Sequence, residues 1–257
     1  MISGHTSARI PLGTSLWLLG VFAPSLVAIT LTALNDGAAG VKALLGRVFQ
    51  WRIKAHWYLF AVTFMAAVKV SVALLHRVIT GLWPHFGNEG LVAILIAILV
   101  STPFQSGEEV GWRGYALPRL AKGMGFGRAS LLLGVIWALW HLPQFFLRGA
   151  DTYGQSFPVW SVEVTAISVA IAWLYAHTNG SLLLVMLMHA AINNSKDIVP
   201  SGIASAQNAL SLHASLVMYL TAALLWLAAA FFLLRMPDAA LMGTENGGTA
   251  PFTHTET

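Results

Sequence analysis

The sequence predicts an all-α fold: a polytopic bundle of about seven to eight transmembrane helices around an intramembrane polar site. Three observations predict it. Of 257 residues, 57% are hydrophobic and only 9% charged, against about 25% charged in soluble domains. The mean hydropathy is +0.71. Apolar runs of about 17–25 residues, the length a bilayer demands, recur along the chain. The absence of cysteine excludes a disulfide scaffold, thiol catalysis and cysteine metal ligation. A net charge of +4 is small for this length, so no nucleic-acid partner is expected; the first partner is the lipid bilayer.

Taken in order, the apolar runs cover residues 12–34 (with Pro24 as an expected kink), 57–78, 91–105, 129–147, 160–175, 181–199 and 212–234. Residues 107–120 make an eighth helical piece, too charged for a lipid-facing span. Two connections are basic: 35–55, with Lys42, Arg47, Arg52 and Lys54, and 107–128, with Arg113, Arg119, Lys122 and Arg128. Under the positive-inside rule both are cytoplasmic. If 107–120 dips in and returns, seven crossings leave the N-terminus outside and the tail inside. No cleavable signal is expected at the N-terminus. Residues 1–235 therefore read as one transmembrane domain and 236–257 as a disordered polar tail. The expected location is a prokaryotic plasma (inner) membrane, multi-pass. The sequence sets no oligomeric state.

Ionisable groups in hydrocarbon cost about 2.5–3.5 kcal/mol or more at a helix centre, so each needs a reason. The candidates are Lys69, Glu108, Glu109, Arg113, His141, Glu163, His189 and the amide Asn193. On a helix, Glu109 and Arg113 stand four apart with the acid first, the favoured order for an ion pair. Glu108 then points about 100° away, without that partner. His141 ends an apolar span, two residues before Pro143, and His189 and Asn193 share a face at i and i+4. Each alone fits a bland role: headgroup contacts for the Glu/Arg run, polar glue between helices for the histidines and the amide. Lys69 and Glu163 fit a structural pair across the second and fifth spans. Trp112, Trp137 and Trp140 fit packing, or the lining of a substrate groove.

Together, a carboxylate, two imidazoles and an amide on three elements can activate water by general-base catalysis, by metal coordination or by both. The amide and one imidazole can donate to a developing oxyanion. That is machinery for hydrolysing an amide bond. The alternatives are a multi-pass transporter or channel with a proton or ion path, and a non-catalytic membrane immunity or scaffold protein.

The order Glu-Glu-x-x-x-Arg (Glu108, Glu109, Arg113), aromatic-x-x-x-His (Trp137, His141) and His-x-x-x-Asn (His189, Asn193) resembles the CPBP family of intramembrane proteases. That family includes the type II CAAX prenyl endopeptidases and the bacteriocin-processing Abi group. The resemblance covers residues 100–199. It implies an endopeptidase acting on a membrane-associated peptide or lipidated, CAAX-type protein. Glu108 would be the base that activates water, with His141 assisting. His189 and Asn193 would hold the oxyanion, and Glu109 and Arg113 would support them. A divalent metal such as zinc, if used, would take Glu108, His141 and His189; without a His-Glu-x-x-His helix, the reading favours a metal-free glutamate mechanism. Trp137 departs from the phenylalanine most common there, which bears on groove shape.

Overall fold

The structure, a computed structural model, describes residues 12–148, 150–201 and 208–237. All but the first two residues of the expected polar tail lie outside the described residues. Among the described residues there are helices and no strands: α1 (Leu12–Gly46), α2 (Ala55–Thr80), α3 (Leu91–Ser101), α4 (Ser106–Glu109), a π-helical turn (Val110–Ala116), α5 (Leu117–His141), α6 (Phe157–His177), α7 (Leu182–Ser195) and α8 (Leu216–Leu234). Helical 3₁₀ segments follow α1, α3, α5 and α7. Large apolar side chains such as Leu95, Leu99, Val100, Leu227 and Phe231 stand exposed on α3 and α8, as they do where lipid is the solvent. The chain is an integral, multi-pass membrane protein.

Five stretches are long and apolar enough to cross a membrane: Leu19–Phe49, Ala55–Thr80, Leu91–Phe146, Phe157–His177 and Leu216–Leu234. This corrects the expectation of about seven full spans, for two physical reasons. The 14 residues of α7 extend only about 21 Å, short of the roughly 30 Å hydrocarbon core. It lies sealed inside the bundle, with Leu182, Leu184, Val185, Met188 and Ala190 all at 0% exposure, packed on α2, α3 and α6. The stretch Leu91–Phe146 is continuous by composition yet turns back on itself. On one straight helix Glu108 and Trp137 would stand roughly 40 Å apart, whereas their side chains share a hydrogen bond of 2.6 Å. The break falls at Gly125 (φ 78°, ψ 159°), a backbone region open to glycine and closed to other residues. In α1 the departure from helical backbone is at Gly37, with Pro24 carried inside the helix, rather than at Pro24 as expected.

Serines start the later helices: Ser156, Ser181 and Ser215 each accept from the backbone N–H three residues on, occupying donors that helix starts leave unpaired. The two basic stretches meet in space. Arg47 donates to the Tyr175 hydroxyl and to the Gly114 carbonyl, both at 2.6 Å, and Arg119 pairs with Asp36 at 3.0 Å. Both stretches therefore lie at one end of the bundle, as common sidedness requires. Arg113 is the exception: it is withdrawn into the interior at 0% exposure and orients nothing.

Lys69, also fully buried, donates to Ser201 Oγ at 2.7 Å and to Thr221 Oγ1 at 3.4 Å. Buried Glu163 on α6 lies within its field, in keeping with the pair expected across those helices.

α1 buttresses the α4–π segment at contact distance. A Cβ on Gly111 would stand 2.5–2.6 Å from the Pro24 backbone carbonyl and Cβ. Gly111→Ala is expected to push α1 off the segment and to lower stability by about 1–3 kcal/mol, the usual range for overpacking. Gly123→Ala, whose Cβ would meet nothing within 4 Å, should leave stability unchanged or raise it. Thermal unfolding of the two variants in detergent measures the difference.

Candidate active site

The polar residues converge where α4, the π-turn, α5 and α7 meet. Glu109 is the anchor. Its Oε1 accepts from Arg113 Nη1 at 2.8 Å and from His189 Nδ1 at 2.7 Å. The i, i+4 pair expected from sequence forms, on a segment that opens into a π-turn immediately after the acid. The Arg113 guanidinium lies over the Trp137 indole, 4.4 Å from the ring centroid, a cation–π contact that shelters a charge removed from water. Glu109 and Arg113 are both sealed at 0% exposure.

Glu108 faces a different set of partners. Its Oε2 accepts from the Trp137 indole N–H at 2.6 Å. Its Oε1 stands 4.0 Å from His141 Nε2. The His141 Nδ1 lies 2.8 Å from the Trp137 carbonyl oxygen. A carbonyl only accepts, so Nδ1 carries the hydrogen and Nε2 of the neutral ring presents a lone pair. Two acceptors, Glu108 Oε1 and His141 Nε2, thus face one another across a gap too long for a direct bond. Side-chain exposure is 12% for Glu108 and 14% for His141, against 0% for both members of the Glu109–Arg113 pair. The reachable carboxylate is Glu108.

His189 sits on α7 at 4% exposure, its ring edge-on to Trp137 at 5.3 Å. Sequence reasoning paired it with Asn193 and with Glu108; the structure bonds it to Glu109. Asn193 follows one turn later and is exposed, joined by no hydrogen bond to the other site residues. The neighbouring Asn194 turns instead to Ser101 Oγ and the Ala190 carbonyl. Glu108, Glu109, Arg113, His141 and His189 are therefore brought together around Trp137, with Asn193 at the open end of the same helix.

Trp137, which the sequence offered as a motif aromatic and as packing or groove lining, is the site residue whose polar role sequence reasoning did not assign. A tryptophan in an apolar span reads as packing, and only its spacing of four from His141 hinted at more. Trp160 also lies close, 5.3 Å from His141, ring to ring. As placed, Glu108, His141 and His189 do not form a three-ligand cage: among the described residues no group of three His, Cys, Asp or Glu side chains has metal-ligand spacing.

Comparison with known proteins agrees with the motif order. Residues 87–195 match the family described as type II CAAX prenyl endopeptidase Rce1-like, a stretch that holds every site residue above. The CAAX prenyl protease 2 of Methanococcus maripaludis is 26% identical over 199 residues, covering 71% of this chain and 71% of the relative. With its motifs in order and their side chains gathered at one buried site, the chain is similar to the Rce1-like type II CAAX prenyl endopeptidases and is an intramembrane peptidase.

Proposed function

We propose that the protein cleaves a peptide bond of a membrane-associated, prenylated CAAX-type protein or peptide with a water activated by Glu108, without a metal. The observation that carries this reading is the facing pair of acceptors, Glu108 Oε1 and His141 Nε2, 4.0 Å apart. A water placed between them donates one hydrogen to each and turns a lone pair toward the substrate carbonyl. Glu108 takes the proton as the water attacks, then gives it to the departing amine. The oxyanion of the tetrahedral intermediate falls to His189 Nε2 and the Asn193 amide. With the His189 Nδ1–H committed to Glu109, Nε2 donates only as imidazolium, and that charge lies against the Glu109 carboxylate. An exposed Asn193 is open to a substrate backbone in a way the sealed residues are not. The substrate class rests on the family match and on the name of the archaeal relative.

The test is cleavage of a farnesylated CAAX peptide by purified protein. Glu108→Gln should abolish turnover while unfolding at the temperature of the parent, and a chelator should leave the parent's rate unchanged. Retained turnover in Glu108→Gln overturns the base assignment; loss with chelator and recovery with zinc overturns the metal-free reading. Asn193→Ala should lower kcat by about 10²–10³, the usual loss for one oxyanion donor.

Glu109→Ala should behave differently from both. It strands a buried guanidinium, so stability should fall by about 3–5 kcal/mol along with activity. Thermal unfolding followed by circular dichroism distinguishes it from Glu108→Gln.

A further inference from the structure

Trp137 touches more of the site than any residue given a chemical role, and with different parts of itself. Its indole N–H donates to Glu108 Oε2 at 2.6 Å. Its backbone carbonyl accepts from His141 Nδ1 at 2.8 Å. One ring face carries the Arg113 guanidinium at 4.4 Å, and His189 stands edge-on at 5.3 Å. Trp137 itself is 4% exposed.

These contacts have a common consequence. A carboxylate with two free oxygens beside a guanidinium would swing to pair with it, since a charge-assisted, two-pronged bond is the strongest arrangement open to both. Glu108 is one residue from Glu109 and its charge acts on Arg113. Yet Arg113 Nη1 bonds Glu109, while the indole ring occupies the guanidinium's face and the indole N–H holds Glu108 Oε2. That leaves Oε1 directed at His141 Nε2.

We propose that Trp137 is a positioning residue for catalysis. Its N–H fixes the Glu108 carboxylate with one oxygen presented to water, and its ring keeps Arg113 from capturing that carboxylate. This rests on Glu108 being the base. A phenylalanine at 137 fills most of the same space and can still stack on Arg113, but it has no hydrogen to donate. The indole N–H is thus the tether on the reacting carboxylate, which makes no direct bond to His141.

The experiment separates the N–H from the ring. Trp137→Phe and replacement of Trp137 by 3-benzothienylalanine, which keeps the bicyclic shape and lacks the N–H, are assayed on a farnesylated CAAX peptide in the full-length protein. Both should lower kcat about tenfold or more, with KM unchanged and unfolding temperature retained in the benzothienyl protein. Full activity in the benzothienyl protein, whether or not Trp137→Phe is impaired, overturns the proposal, because shape alone then suffices. A loss expressed only in KM overturns it too, since that marks a substrate contact. Independently of turnover, the Trp137 indole ¹H–¹⁵N resonance, assigned by its disappearance in Trp137→Phe, should move upfield in Glu108→Ala; an unmoved resonance overturns the hydrogen bond. Activity surviving Glu108→Gln instead sinks the base assignment and is a separate result.

Discussion

The ion pair between Glu109 and Arg113, sealed from solvent at 2.8 Å, is the constraint on which the site depends. Taking both charges out of water carries a penalty of several kcal/mol each, and their attraction offsets it only if geometry and further hydrogen bonds are good. The fold supports the pair from three directions. Glu109 receives His189 from α7, and Arg113 receives the Trp137 ring from α5. The backbone around the pair is pinned by Arg47, which donates to the Gly114 carbonyl, and by Ser25, which donates to the Ser106 carbonyl at 2.6 Å. Loss of either ion would leave the other buried and unpaired, so the pair orders α5, α7 and the π-turn around itself.

That arrangement frees the neighbouring acid. Two adjacent carboxylates on one chain usually compete for the same cation, yet here they are assigned to opposite environments. Glu109 is sealed, and its Oε1 takes both the Arg113 and the His189 donors. Glu108 has a neutral donor on one oxygen and an imidazole lone pair opposite the other, at 12% exposure. Different surroundings can give like groups unlike roles, and here they make one carboxylate a sealed structural anion and leave the other reachable. The order in the sequence matters, because only the second acid stands four residues before the arginine.

Much of this could be read before any coordinates. Ionisable groups stand out in a chain with 9% charge, and the i, i+4 relation of Glu109 and Arg113 follows from helical spacing. What sequence could not supply was which acceptor each donor chooses. His189 lies 80 residues from Glu109 and 81 from Glu108, and nothing local tells which carboxylate its Nδ1 meets. Trp137 was hidden because its indole reads as hydrophobic in every pattern of apolar spacing; the N–H matters only once a carboxylate is across from it. Arg47 was hidden for the converse reason. A cation at a helix end satisfies the sidedness rule, and its hydrogen bond to Tyr175 is invisible 128 residues away. The number of spans erred where composition and path diverge: α7 is apolar enough to cross and too short to do so, and Leu91–Phe146 is one apolar stretch folded into two legs.

The irregular backbone has the same origin as the charges. Helices cross lipid because every backbone group is satisfied within them, and departures survive at membrane depth only where protein encloses them. Here the departures flank the clustered polar groups. The π-turn begins directly after Glu109 and contains Arg113, and the 3₁₀ segment begins directly after His141, with Pro143 inside it. An α-helix presents its side chains in fixed register; a widened or tightened turn re-aims them, which is why π-bulges recur at functional sites. Gly111 lets α1 close against the widened turn at backbone contact, so the enclosure that makes the irregularity tolerable is itself built into the sequence. Glu108 and His141 thus sit where the π-turn and a 3₁₀ segment interrupt helical regularity.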